Sequence, residues 1–70
     1  METKTNVKIE GMSCDHCVAS VTKAVSSLNG VKSVAVSLEH KLAEVEFDDD
    51  VVTLETIRDV IEDQGFDVVK

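Results

Sequence analysis

Apolar residues in this chain switch repeatedly between a two-residue and a 3.6-residue period, and the order of the switches restricts the fold more than any other feature. Thr5, Val7 and Ile9 alternate with Asn6, Lys8 and Glu10, which predicts a strand with one buried face. Gly11 interrupts that pattern. Val18, Val21, Val25 and Leu28, with Ala24, then share one helical stripe, while Ser20, Thr22, Lys23, Ser26 and Ser27 take the wet side. Asn29-Gly30 is the predicted end of this helix, because glycine suits the left-handed position after a last turn. Val34, Val36 and Leu38 alternate with Ser33, Ala35 and Ser37. Ala43, Val45 and Phe47 do so with Leu42, Glu44 and Glu46. The short Glu39-His40-Lys41 link makes these two an antiparallel hairpin. Thr53 is the predicted N-cap of a second helix with the stripe Leu54, Ile57, Val60 and Ile61; Thr56 stands where a capping box prefers Glu or Gln. Gly65 closes that helix, and Phe66 and Val68 open a last short strand.

The order is βαββαβ, the split-βαβ or ferredoxin-like pattern: an α+β fold with a four-stranded antiparallel sheet. Right-handed crossovers place both helices on one face. The other face is predicted to be wet, from the polar alternates Lys8, Glu10, Ser37, Glu44 and Glu46. With 70 residues, the expectation is one domain spanning 1–70. Phe47 and Phe66 are its only aromatic residues, so the core must come from Val, Ile, Leu, Ala and Met.

Charge narrows the function. Fourteen acidic against seven basic residues give a net −7. That argues against nucleic acid, which wants a basic stripe, and against docking on an anionic membrane. No apolar run approaches the roughly 20 residues of a membrane span, and the polar start lacks the apolar segment of a signal peptide. The expected location is the cytoplasm. Asp48, Asp49 and Asp50 read as a solvated loop, because a hard-cation loop needs alternating oxygen ligands and a glycine turn.

The two cysteines, Cys14 and Cys17, lie in one C-x-x-C at the first strand-to-helix junction. Positions three apart share a helix face, so the sulfurs can converge. A helix amino terminus supplies unpaired N–H groups and about half a positive charge, which favours thiolate. Soft sulfur selects Cu(I), Zn(II) or iron–sulfur clusters. Structural zinc and iron–sulfur sites want four ligands. Two thiolates suit Cu(I), and leave room for an incoming third sulfur, as a carrier that must also release its ion requires. Met12 is read as a core side chain below the loop, His16 and His40 as exposed, Phe66 as core and a cover for the loop, and Asp15 as a cap for the helix.

The segments Gly11-Met12-Ser13-Cys14-Asp15-His16-Cys17, Asn29-Gly30-Val31 and Gly65-Phe66-Asp67 resemble the heavy-metal-associated domain, over roughly Thr5 to Val69. That family includes bacterial copper chaperones and the amino-terminal domains of copper-transporting P-type ATPases. The resemblance implies Cu(I) bound by Cys14 and Cys17 and passed to a similar domain of such an ATPase. It also leaves open a Cu(I)-bridged homodimer and an excised ATPase domain, for which Phe66 speaks. A chain running from Met1 to just past the fourth strand looks more like a free chaperone. No enzymatic activity is expected. The competing enzyme class is a thiol–disulfide oxidoreductase, but those resemble longer chains with a cis-proline facing the motif, and this sequence has no proline. A Zn(II), Cd(II) or Hg(II) domain is the other competitor. Zinc relatives often carry an acid before the first cysteine, where Ser13 stands here.

Overall fold

The computed structural model describes residues 1–69. Its elements are β1 (Glu2–Glu10), α1 (Asp15–Ser26), β2 (Val31–Ser37), β3 (Leu42–Asp48), α2 (Leu54–Asp63) and β4 (Asp67–Val69). The four strands form one antiparallel sheet in the order β2-β3-β1-β4. This is the βαββαβ ferredoxin-like fold that the periodicity predicts.

The alternation along each strand decides which face is covered. Val7 and Ile9 of β1 and Ala43, Val45 and Phe47 of β3 point inward and are buried against Val21 and Val25 of α1 and Ile57 and Ile61 of α2. Met12 and Val52 complete this core, and among the described residues no polar or charged side chain is buried with it. The outward alternates pair across strands: Lys4 stands opposite Glu46, and its Nζ lies 3.8 Å from Glu44. Fully burying one aliphatic side chain is worth roughly 1.5–3 kcal/mol. A core of this kind therefore holds the sheet and helices together without help from an ion.

Several boundaries differ from the periodic reading, among them the start of β4 at Asp67 rather than Phe66. Strand β1 begins at Glu2 rather than Thr5, because Glu2 through Lys8 pair one for one with Asp48 back to Leu42. Backbone pairing extends a strand where side-chain alternation carries no signal. Helix α1 ends at Ser26 with Ser27 as its C-cap, ahead of the predicted Asn29-Gly30 stop. Gly30 instead has a φ of +95° in the turn into β2, where its carbonyl accepts the Asp48 N–H at 2.7 Å. Strand β2 starts at Val31, with an irregular register between Val31 and Ser33, and stops before Leu38, which packs against the core. Thr53 caps α2 as predicted, its Oγ1 accepting the Thr56 N–H at 3.2 Å.

The register also sorts the loops between two ends. At one end Glu10 opposes Asp67 and the Ile9 N–H donates to the Lys41 carbonyl at 2.8 Å. The Gly11–Cys17 loop, the β2–β3 turn and the start of β4 therefore meet there. At the other end Glu2 opposes Asp48, beside the turn that precedes α2.

Candidate metal site

Gly11 ends β1 with a φ of +97°, a region that residues with a Cβ rarely enter. A Cβ at Gly11 would lie 3.7 Å from Cδ1 of Phe66, so the ring at the start of β4 covers the loop as it leaves the sheet. Met12 then turns inward and is only 6 % exposed, which anchors the loop to the core from below. Past these two holds, Ser13 and Cys14 are exposed.

Cys14 is the N-cap of α1, with extended backbone, and Cys17 lies in the first turn. The Cys14 carbonyl accepts the N–H groups of Cys17 at 3.1 Å and Val18 at 3.3 Å. This helical start brings the two sulfurs to 3.4 Å from one another. A disulfide would need about 2.05 Å; both cysteines are free thiols, Cys14 exposed and Cys17 half-buried against the core. No side chain caps α1. Asp15, expected to cap it, is the first helical residue, because the chain adopts the extended N-cap conformation one position earlier, at Cys14. Its carboxylate still sits in the first turn, where negative charge suits the dipole.

The Cys17 thiol is held below the ordinary thiol range, chiefly by a hydrogen bond from the Ser13 backbone and next by the Cys14 side chain. Loop backbone and neighbouring sulfur thus both stabilise a thiolate, the form that binds metal. The Ser13 amide was not legible in the sequence, since any residue there carries one. His16 is exposed, as is His40, whose Nδ1 lies 3.0 Å from Oγ of Ser37 in the β2–β3 turn. Among the described residues the one group of three or more His, Cys, Asp or Glu side chains placed to share an ion is Asp48, Asp49 and Asp50, at the opposite end. The sulfur pair therefore has no third protein ligand of these types converging on it.

A ferredoxin-like sheet with a pair of free thiols at the β1–α1 junction, Cys14 exposed and Cys17 half-buried, defines a small metal-binding domain. The model of the heavy-metal-associated domain matches residues 6–67, and the chain belongs to that family. It is 51 % identical over 70 residues to a copper chaperone CopZ of Bacillus subtilis, covering 100 % of both chains. Among solved structures it is similar to a CopZ metallochaperone, with a TM-score of 0.94 and 42 % identity over 96 % of this chain and 100 % of that one. A copper-binding domain from HMA7, a P-type ATPase, is similar with a TM-score of 0.93 and 39 % identity, covering 99 % and 92 %.

Proposed function

We propose that the chain is a copper chaperone that carries one Cu(I) on Cys14 and Cys17 in the cytoplasm and hands it to a copper-transporting P-type ATPase. The observation that carries this reading is the pair of free sulfurs, 3.4 Å apart at a helix start without a side-chain cap, with no third His, Cys, Asp or Glu among the described residues converging on them. Cu(I) accepts two thiolates, whereas structural zinc calls for four ligands. Small movements of the Cys14 and Cys17 side chains, which the exposed loop permits, would place the sulfurs on opposite sides of the ion. The whole-length match to relatives named copper chaperones supports the same reading. No helix of the structure is long and apolar enough to cross a membrane.

Delivery follows from the open side of the site. A partner thiolate attacks the two-coordinate ion, a three-sulfur intermediate forms, and one of Cys14 or Cys17 leaves. The partner is a domain with its own C-x-x-C on the ATPase, and its docking surface is locally basic, to match a carrier of net charge −7. The test is transfer from the Cu(I)-loaded chain to such an apo domain in the presence of a chelator that competes for free ion alone. Equilibration within seconds supports the reading. Interception of the copper by the chelator refutes direct exchange and leaves a buffering role. A second reading, the metal-binding domain of an ATPase itself, is favoured by the structural match to such a domain. It keeps Cys14, Cys17 and Cu(I) in the same roles.

A further inference from the structure

The two thiols are spaced for a centre whose geometry differs from that of a linear ion. Cys14 and Cys17 are both free, and their sulfurs stand 3.4 Å apart. With bonds to sulfur of about 2.3 Å, the length a thiolate makes to zinc, two sulfurs on opposite sides of a centre stand about 4.6 Å apart. At the same bond length, two sulfurs that meet a centre at roughly 90–100° stand about 3.3–3.5 Å apart. The separation in this structure matches the second arrangement with no movement of either side chain. That is the bite of a pyramidal centre with a lone pair, such as trivalent arsenic. The helical start sets the spacing: the N–H groups of Cys17 and Val18 both donate to the Cys14 carbonyl, at 3.1 Å and 3.3 Å, so the two cysteines are held across a single turn. Two further observations bear on what the centre carries besides these sulfurs. Among the described residues no third His, Cys, Asp or Glu side chain converges on the pair. Cys14 is exposed, and so are its neighbours Ser13, Asp15 and His16, so a third substituent on that side meets solvent rather than core.

We propose that Cys14 and Cys17 form a chelating dithiol for trivalent organoarsenicals, compounds R–As(OH)2 in which carbon takes one position on arsenic and the other two are exchangeable. The inference rests on the thiol pair alone and does not need the copper reading. Thiolates favour soft, polarisable centres over hard ones. Each sulfur forms a bond to arsenic as an arsenic–oxygen bond breaks; the two thiol protons leave with the two hydroxyls as two waters, and arsenic stays trivalent throughout. The product holds one carbon and two sulfurs on a pyramidal centre, closed into a ring by the chain between Cys14 and Cys17. The donor count sets the preference. Inorganic arsenite has three exchangeable positions, and one chain fills two of them, leaving a hydroxyl that water or a small thiol continues to exchange. A monoorganic arsenical is satisfied by the pair. A chain so occupied has neither thiolate free for another ion, so the arsenical also blocks whatever the pair otherwise carries.

The test uses the reduced full chain with phenylarsine oxide as the probe and sodium arsenite as the comparison, read by intact-mass spectrometry and thiol counting. The parent is expected to gain one phenylarsenic group less two hydrogens and to lose both titratable thiols together. A dithiol such as dithiothreitol should remove the group, and a monothiol at equal thiol concentration should not. Cys14→Ser and Cys17→Ser should each bind the probe roughly 10²–10⁴-fold more weakly, the loss expected when one of two linked contacts is removed. Arsenite should be held more weakly than the phenyl compound. Loss of one thiol alone, undiminished binding in either serine variant, or a tighter hold on arsenite overturns the proposal. Where a serine variant folds poorly, the parent's thiol count and its reversal by dithiol still decide it. The same preparation is titrated with Cu(I) before and after loading. Cu(I) bound at both thiols with no uptake of phenylarsenic overturns the proposal and leaves the copper reading standing. Uptake of phenylarsenic without Cu(I) binding supports the proposal and removes that reading.

Discussion

The sulfur of Cys14 stands 3.4 Å from that of Cys17, and the two differ in how they are held: Cys14 is the exposed N-cap of α1, while Cys17 rests against the core, its thiol held below the ordinary range first by the Ser13 backbone. This asymmetry leaves Cys17 the more firmly packed of the two thiols and Cys14 the more open. Cys14→Ser and Cys17→Ser should each abolish tight Cu(I) binding, because a single thiolate cannot satisfy the ion. Both variants should stay folded, since neither sulfur is among the fully buried side chains. Competition with a Cu(I) chelator and an amide-dispersion spectrum check the two halves. A Cys14→Ser chain that holds Cu(I) as tightly as the parent contradicts the assignment.

Gly30 and Gly65 share nearly the same backbone, with φ of +95° and +96°, but not the same surroundings. A Cβ at Gly30 would meet Val51 at 2.9 Å, while one at Gly65 would meet nothing within 4 Å. Gly65→Ala should therefore cost only the left-handed conformational penalty, about 1–2 kcal/mol. Gly30→Ala should cost that and an overpacking penalty of about 1–3 kcal/mol besides. Urea denaturation of the two variants checks the order, and equal losses contradict the packing argument.

Ile57 of α2 is fully buried in the core that it shares with residues of the sheet and of α1. Ile57→Ala should destabilise the apo chain by about 2–5 kcal/mol. In a domain this small, that is a large share of a total stability of roughly 5–15 kcal/mol. The same measurement on the parent should show a cooperative transition without metal, unlike a zinc finger. An apo parent lacking such a transition under reducing conditions contradicts a core that needs no ion.

The sheet, both helices and the metal loop were legible in the sequence because each rests on a local pattern. Alternation gave Val7 and Ile9, and the helical stripes gave Val21, Val25, Ile57 and Ile61. The inward turn of Met12 and the N-cap role of Thr53 were equally readable. What escaped depends on pairing between distant segments. The start of β1 at Glu2 is set by its pairing with Asp48, far along the chain, which no periodicity records. The early end of α1 escaped for another reason: Gly30 is required by its close approach to Val51, not by the helix. At the site, the spacing of Cys14 and Cys17 announced itself. The help from the Ser13 amide did not, because backbone groups carry no sequence signal.

The central claim, one Cu(I) held by two thiolates of one chain, is tested most directly by anaerobic titration with Cu(I), counting sulfur neighbours of the metal by X-ray absorption. The account predicts saturation at one ion per chain with two sulfur ligands, and Zn(II) binding much more weakly. Saturation with nitrogen or oxygen ligands in place of either sulfur, or Zn(II) displacing Cu(I), would contradict it.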